Sequence, residues 1–215
     1  LIEGESAESL DKRFKSWNRK KRFQSKKTYK MDLICIGSST GGFPVVQNLL
    51  KGLSFKETMV VVCQHIGAGM EKSLKDSLMS KVQVPVRLVQ KRTPLKKGEV
   101  YLLAGGQDFV FKEERGELIL SPSPSQEIFH PSINVLTQSM LDLYTYNMAV
   151  FILSGLGNDG SRYLKQLKDH GVRIFAQDPS TAKAPSMPEN AIRSGATPLV
   201  YKEEEMKDVI LRGAA

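Results

Sequence analysis

The sequence predicts an α/β fold: a doubly wound, mostly parallel sheet with helices on both faces and an antiparallel hairpin insert around residues 84–121. Three observations carry that expectation. From Met31 onward short apolar runs recur, apolar on both faces as in strands covered on both sides. Segments of helical spacing lie between several of these runs, as parallel strands joined by helical crossovers require. Residues 84–121 break the rhythm, because strands there follow one another across turn signals (KKGE, AGGQD, EERGE) with no helix between them.

The elements follow in order. Residues 33–36 form the first run, and a glycine-rich turn over 37–42 leads into a helix over 44–50. Pro44 suits a first turn there, and Val46, Leu49 and Leu50 share a face before Gly52. The run at 59–63 is followed by Gln64 and His65, and then by a helix over 71–79. Runs at 86–89, 100–103 and 118–120 make up the insert. Pro131 and Ser132 open a helix over 132–143. A run at 148–153, a helix over 161–168 and a run at 172–176 complete the pattern. No internal repeat is present.

Composition narrows the class. The 215 residues are 40% hydrophobic and 25% charged, an ordinary globular balance. No apolar run approaches the roughly 20 residues of a membrane-spanning helix, so membrane insertion is not expected. The net charge of +8 is uneven: residues 1–30 hold ten Lys/Arg against four Asp/Glu, a net +6, and the other 185 residues net only +2. The chain therefore divides into a basic linker or tail over 1–30 and a nearly neutral globular domain over 31–215. Phe14, Trp17, Phe23 and Tyr29 among the tail's basic residues would also suit nucleic acid or an anionic surface. Leu10, Phe14 and Trp17 form one helical stripe, which favours a linker that docks on a neighbour, and no nucleic-acid partner is expected. Cys35 and Cys63 each sit in an apolar run, as buried reduced thiols of a cytoplasmic protein would.

In an open parallel sheet, ligands bind beyond the carboxyl ends of the strands. The polar residues directly after the apolar runs are therefore the candidates. Gly37-Ser38-Ser39-Thr40-Gly41-Gly42 follows the first run, Gln64-His65 the second, and Ser154-Gly155-Leu156-Gly157-Asn158-Asp159-Gly160 the run at 148–153. A serine, a histidine and an acid thus fall at one end of three parallel strands, the parts of a nucleophile–base–orienter system. Gly37, Ser39 and Gly41 also read G-x-S-x-G on a strand–turn–helix, where a sharp turn exposes the central side chain and a following N–H can face an oxyanion. The same turn could cradle a phosphate, but the lysine of a phosphate-binding loop is missing. Cys63 and His65 have no second ligand pair for zinc. His130 and His170 are expected to be structural or surface residues.

With these residues in place, the chain resembles the catalytic domain of the chemotaxis receptor methylesterases, the CheB family, over about residues 31–200. The segments IGSSTGG (36–42), VVVCQHI (60–66), GEVYLLAGG (98–106), HPSINVL (130–136), LSGLGNDG (153–160) and AQDPSTAKAPSMPENAI (176–192) carry the resemblance in order. It implies a mostly parallel α/β fold. It also implies hydrolysis of glutamyl methyl esters on the cytoplasmic helices of chemoreceptors, with release of methanol and a related glutamine deamidation. Ser39 matches the nucleophile, His65 the base and Asp159 the acid, with Thr40 and Leu156 at the oxyanion or substrate-binding positions. No metal or organic cofactor is needed. A phosphorylatable receiver domain upstream is a further implication, and this chain does not contain one. The family's usual Met is Leu156 here, and Q-H-M-P-P-G-F becomes Gln64-His65-Ile66-Gly67-Ala68-Gly69-Met70. His-Arg/Lys-Pro-Ser becomes Phe129-His130-Pro131-Ser132, and Pro-Gly-x-x-His becomes Ala104-Gly105-Gly106-Gln107-Asp108. Two rival classes stay open: a serine hydrolase with another ester or amide substrate, and a CheB-like adaptor with weak or no turnover.

Overall fold

A computed structural model of the protein describes residues 30–214. Seven parallel strands form its main sheet: β1 (Leu33–Ser38), β2 (Met59–Gln64), β3 (Val86–Val89), β5 (Val100–Leu103), β8 (Met148–Ile152), β9 (Arg173–Gln177) and β10 (Leu199–Tyr201). Their spatial order is β10-β9-β8-β1-β2-β5-β3. β1 pairs in parallel with β2 on one side, Leu33 beside Met59, and with β8 on the other, Leu33 beside Met148. The chain thus winds outward from β1 in one direction and later returns to wind in the other. The reversal opens a crevice at the carboxyl ends of β1, β2 and β8.

The strands are buried on both faces because alternate residues feed two separate cores. Ile34, Ile36, Val60, Val62, Leu102 and Phe151 face one core, closed by helices α1 (Gly42–Leu50), α2 (Glu71–Met79) and α6 (Glu203–Ala214). Val45, Val46, Leu49 and Leu50 give α1 the three- and four-residue spacing of a buried stripe. Leu33, Cys35, Val61, Cys63, Val150 and Ile152 face the other core, with α3 (Ile133–Ser139), α4 (Leu164–Asp169) and α5 (Ser186–Arg193). That second core also takes Phe109, Phe111, Leu118 and Leu120 from a small antiparallel sheet of β4 (Thr93–Pro94), β6 (Asp108–Glu114) and β7 (Glu117–Ser123).

The insert is narrower than residues 84–121. β3 and β5 belong to the main sheet, in parallel register with Val86 beside Val100, and only β4, β6 and β7 form the antiparallel piece. The reason is the crossover. A parallel pair needs a long connection, usually a helix, and here residues 90–99 make it through β4, which adds to the edge of the small sheet. The 132–143 helix divides into α3 and a 3-10 turn, Met140–Asp142, and the helix expected over 161–168 forms as α4. β4, β6, β10, α5 and α6 lie outside the expected runs; β10 is only three residues long, and β6 ends on charged residues. The basic tail and its Leu10, Phe14 and Trp17 stripe lie outside the described residues. Among those residues no helix is long and apolar enough to cross a membrane.

Candidate active site

The turn after β1 is built around glycine. Gly41 has φ +73°, a left-handed conformation that glycine adopts without strain, and Gly42 begins α1 directly behind it. Ser38 is buried and Ser39 is half-buried beside it. The Ser38 hydroxyl donates to Gln64 Oε1 at 2.6 Å. Gln64 Nε2 then donates to the carbonyl oxygens of both Ser39 and His65, at 3.1 Å each. One buried amide therefore ties the β1 turn to the β2 turn. The Ser39 N–H is already used, donating to Ser154 O at 3.0 Å. The N–H groups of Thr40 and Leu156 have no acceptor among the described residues.

Gly155 closes the third side. A Cβ at this position would stand 2.7 Å from Ser39 Cβ, so only glycine lets the β8 turn approach the serine. Ser154 holds that turn in place. Its hydroxyl donates to Thr40 O at 2.8 Å, and its N–H donates to Gln177 Oε1 at 2.9 Å.

His65 Nε2 lies 2.7 Å from Asp159 Oδ2, with the His65 side chain 7% exposed. Asp159 collects donors on both oxygens. Oδ2 also accepts from Ile133 N at 2.7 Å, and Oδ1 accepts from Asn134 N at 2.8 Å, Gly160 N at 3.0 Å and Ser132 Oγ at 3.1 Å. Ile133 and Asn134 open α3, so the carboxylate sits at the positive end of a helix. Burial works to raise the Asp159 pKa, but the His65 hydrogen bond and the Ile133 and Asn134 N–H groups outweigh it and hold the pKa below the usual carboxylate range. With Asp159 ionised and accepting from Nε2–H, the imidazole lone pair is on Nδ1. That atom is buried and has no hydrogen-bond partner.

Cys63 lies just beneath the site, its thiol donating to Pro131 O at 3.7 Å. Burial pushes this thiol well above its ordinary range, and the Asp159 charge adds to the effect. Cys35 is likewise buried, its thiol pushed up to about 12 by burial. Both are free and buried, and neither has the character of a reactive thiolate.

The structure thus brings Ser39, His65 and Asp159 to one end of the sheet, with Thr40 and Leu156 on the flanking turns. The residues that hold Asp159 and Ser132 from behind were not legible in the sequence. The Asp108 side chain, fully buried at the start of β6, accepts from Ser132 N at 2.6 Å, from His130 Nδ1 at 2.7 Å and from the Ser125 hydroxyl. Ser132 in turn donates to Asp159 and caps α3 by accepting from Val135 N. His130 is therefore a partner of Asp108, and His170 caps the end of α4 through Gln166 O. A cavity of about 330 Å³ beside Asp108, Ser125 and His130 opens on the small sheet.

Comparison with known proteins bears on the family and the fold. Residues 34–210 match the family model described as CheB methylesterase. The chain is 33% identical over 169 residues to protein-glutamate methylesterase/protein-glutamine glutaminase 1 of Pseudomonas fluorescens, covering 78% of this chain and 50% of that protein. It is 34% identical over 161 residues to the corresponding enzyme of the group 3 operon of Pseudomonas putida, covering 74% and 47%. The chain spans about half the length of the curated relatives it matches. The crystal structure of the Thermotoga maritima CheB methylesterase catalytic domain superposes with a TM-score of 0.77 at 26% identity, over 84% of this chain and 99% of that one.

Proposed function

Because the chain belongs to the CheB methylesterase family, we propose that it hydrolyses glutamyl methyl esters on the cytoplasmic helices of chemoreceptors, releasing methanol, with glutamine deamidation as a second activity. The observation that carries this reading is the buried His65–Asp159 pair, whose remaining ring nitrogen has no partner, on the turn next to that of Ser39 where the winding of the parallel sheet reverses. His65 takes the Ser39 proton on Nδ1, and Ser39 Oγ attacks the ester carbonyl. Asp159, kept ionised by its four other donors, stabilises the imidazolium that results. Catalytic hydrogen bonds are often loose before substrate binds, so Ser39 need not contact the ring in the free protein. The N–H groups of Thr40 and Leu156 hold the oxyanion, each donor contributing about 2.7–4 kcal/mol to the rate. His65 then returns its proton to the leaving methanol, and water cleaves the acyl-enzyme.

The decisive experiment is methanol release from methylated receptor fragments, with covalent labelling of Ser39 by a fluorophosphonate. Methanol release that disappears in Ser39→Ala supports the reading. Labelling without receptor turnover would point to another ester or amide substrate. Absence of both would leave a CheB-like adaptor.

A further inference from the structure

Phe129 lies in the segment leading to α3, outside the Ser-His-Asp set. Its ring is stacked on the His65 imidazole, with centroids 4.7 Å apart and planes 12° from parallel. It contributes little as core, because 43% of it remains exposed. Its other neighbour is the turn after β8, where a Cβ on Gly157 would stand 3.9 Å from Phe129 Cε2. The phenyl ring therefore stands between the histidine turn and the acid turn. A single hydrogen bond at Nε2 anchors one edge of an imidazole but leaves the ring plane free to rock. A flat surface against its face removes that freedom. When the imidazole takes a proton, the same π face attracts the cation.

We propose that Phe129 is a positioning residue for the base: by stacking on His65 it fixes the plane in which Nδ1 is presented to Ser39. The proposal rests on His65 being the base, and the test separates the two ideas. Four proteins are compared: the wild-type chain, His65→Gln, Phe129→Leu and Phe129→Tyr. Because Phe129 is half-exposed, Phe129→Leu is expected to melt with the wild type. With a small chromogenic ester, Phe129→Leu is expected to lower kcat about ten- to a hundredfold while KM stays within about threefold, because misaiming a catalytic group costs rate rather than binding. Fluorophosphonate labelling falls in parallel. Phe129→Tyr, which keeps the ring, recovers most of both. Nitrogen NMR of His65 provides an independent readout: a single Nε2–H tautomer in the wild type and Phe129→Tyr, and an averaged ring in Phe129→Leu.

A loss confined to KM would make Phe129 a substrate contact, and a Tyr variant as weak as Leu would rule out the stack; either result overturns the proposal. Phe129→Leu with wild-type rates and a wild-type tautomer overturns it as well, while an inactive His65→Gln leaves the proposed function standing. If the wild type shows no labelling and matches His65→Gln, the proposed function fails. The NMR comparison then decides the positioning role alone.

Discussion

Ser38 and Ser39 are adjacent and chemically identical, yet the structure separates their surroundings. Ser38 points into the protein and fixes Gln64. Ser38→Ala is expected to lose about 1–3 kcal/mol of stability, because it strands a buried amide oxygen, while fluorophosphonate labelling persists. Ser39→Ala is expected to abolish labelling without that loss of stability; equal loss of activity from the two changes would contradict the assignment. Asp159 provides a pH signature. Its folded-state pKa is depressed, so its stabilisation is complete above the unfolded value of about 3.9. It is lost as the pH falls through the lower folded value. Asp159→Asn is therefore expected to be less stable than the wild type at pH 7, with the two urea midpoints converging as the pH falls below the ordinary carboxylate range. Parallel curves throughout the acid range would mean the carboxylate is not held below its ordinary range. Ser39, His65 and Asp159 were legible because each lies in the short polar segment that follows an apolar run. Gln64 was visible in the same way, but its clamp on two carbonyl groups depends on side-chain direction, which no run reveals. Phe129 read as a loop residue, since stacking on a ring 64 positions earlier leaves no local trace.

At the level of elements, the small antiparallel sheet buttresses the acid. β6 holds α3 at both ends: Asp108 accepts from Ser132 N at the start, and Phe111 N donates to Ser139 Oγ at 2.9 Å at the finish. The N–H groups of α3 are in turn donors to Asp159. Asp108→Ala leaves the Ser132 N–H and the His130 ring without their acceptor, at a cost of about 1–3 kcal/mol in the urea midpoint. It is also expected to slow Ser39 labelling, whereas Asp108→Asn, which keeps an acceptor, retains more of both. Unchanged labelling in Asp108→Ala would show that the acid is held without the insert. The sequence showed that residues 84–121 differ from their surroundings, because the turn signals are local. It did not show that β3 and β5 join the parallel sheet, because parallel pairing is a long-range choice.

For the whole molecule, net charge divides unevenly along the sequence. The tail carries most of the net positive charge and the body is nearly neutral. Deleting residues 1–29 is expected to leave kcat unchanged. If the tail steers association with an acidic receptor surface, its benefit to kcat/KM shrinks as the Debye length drops from about 10 Å at 0.1 M salt to about 3 Å at 1 M. Loss of kcat at high salt as well would mean the tail is part of the catalytic fold. The fold class, the central strands and the placement of Ser39, His65 and Asp159 beyond their carboxyl ends were legible in the chain alone. Periodicity and turn chemistry act over a few residues, and in a parallel sheet the position after a strand is already a position in space. Tertiary structure alone decided the order of the strands and which nitrogen of His65 faces Asp159. It alone placed Asp108 behind Ser132 and Phe129 against the imidazole. Those contacts join residues 24 to 94 positions apart, and their energy exists only once the chain has closed the loops between them.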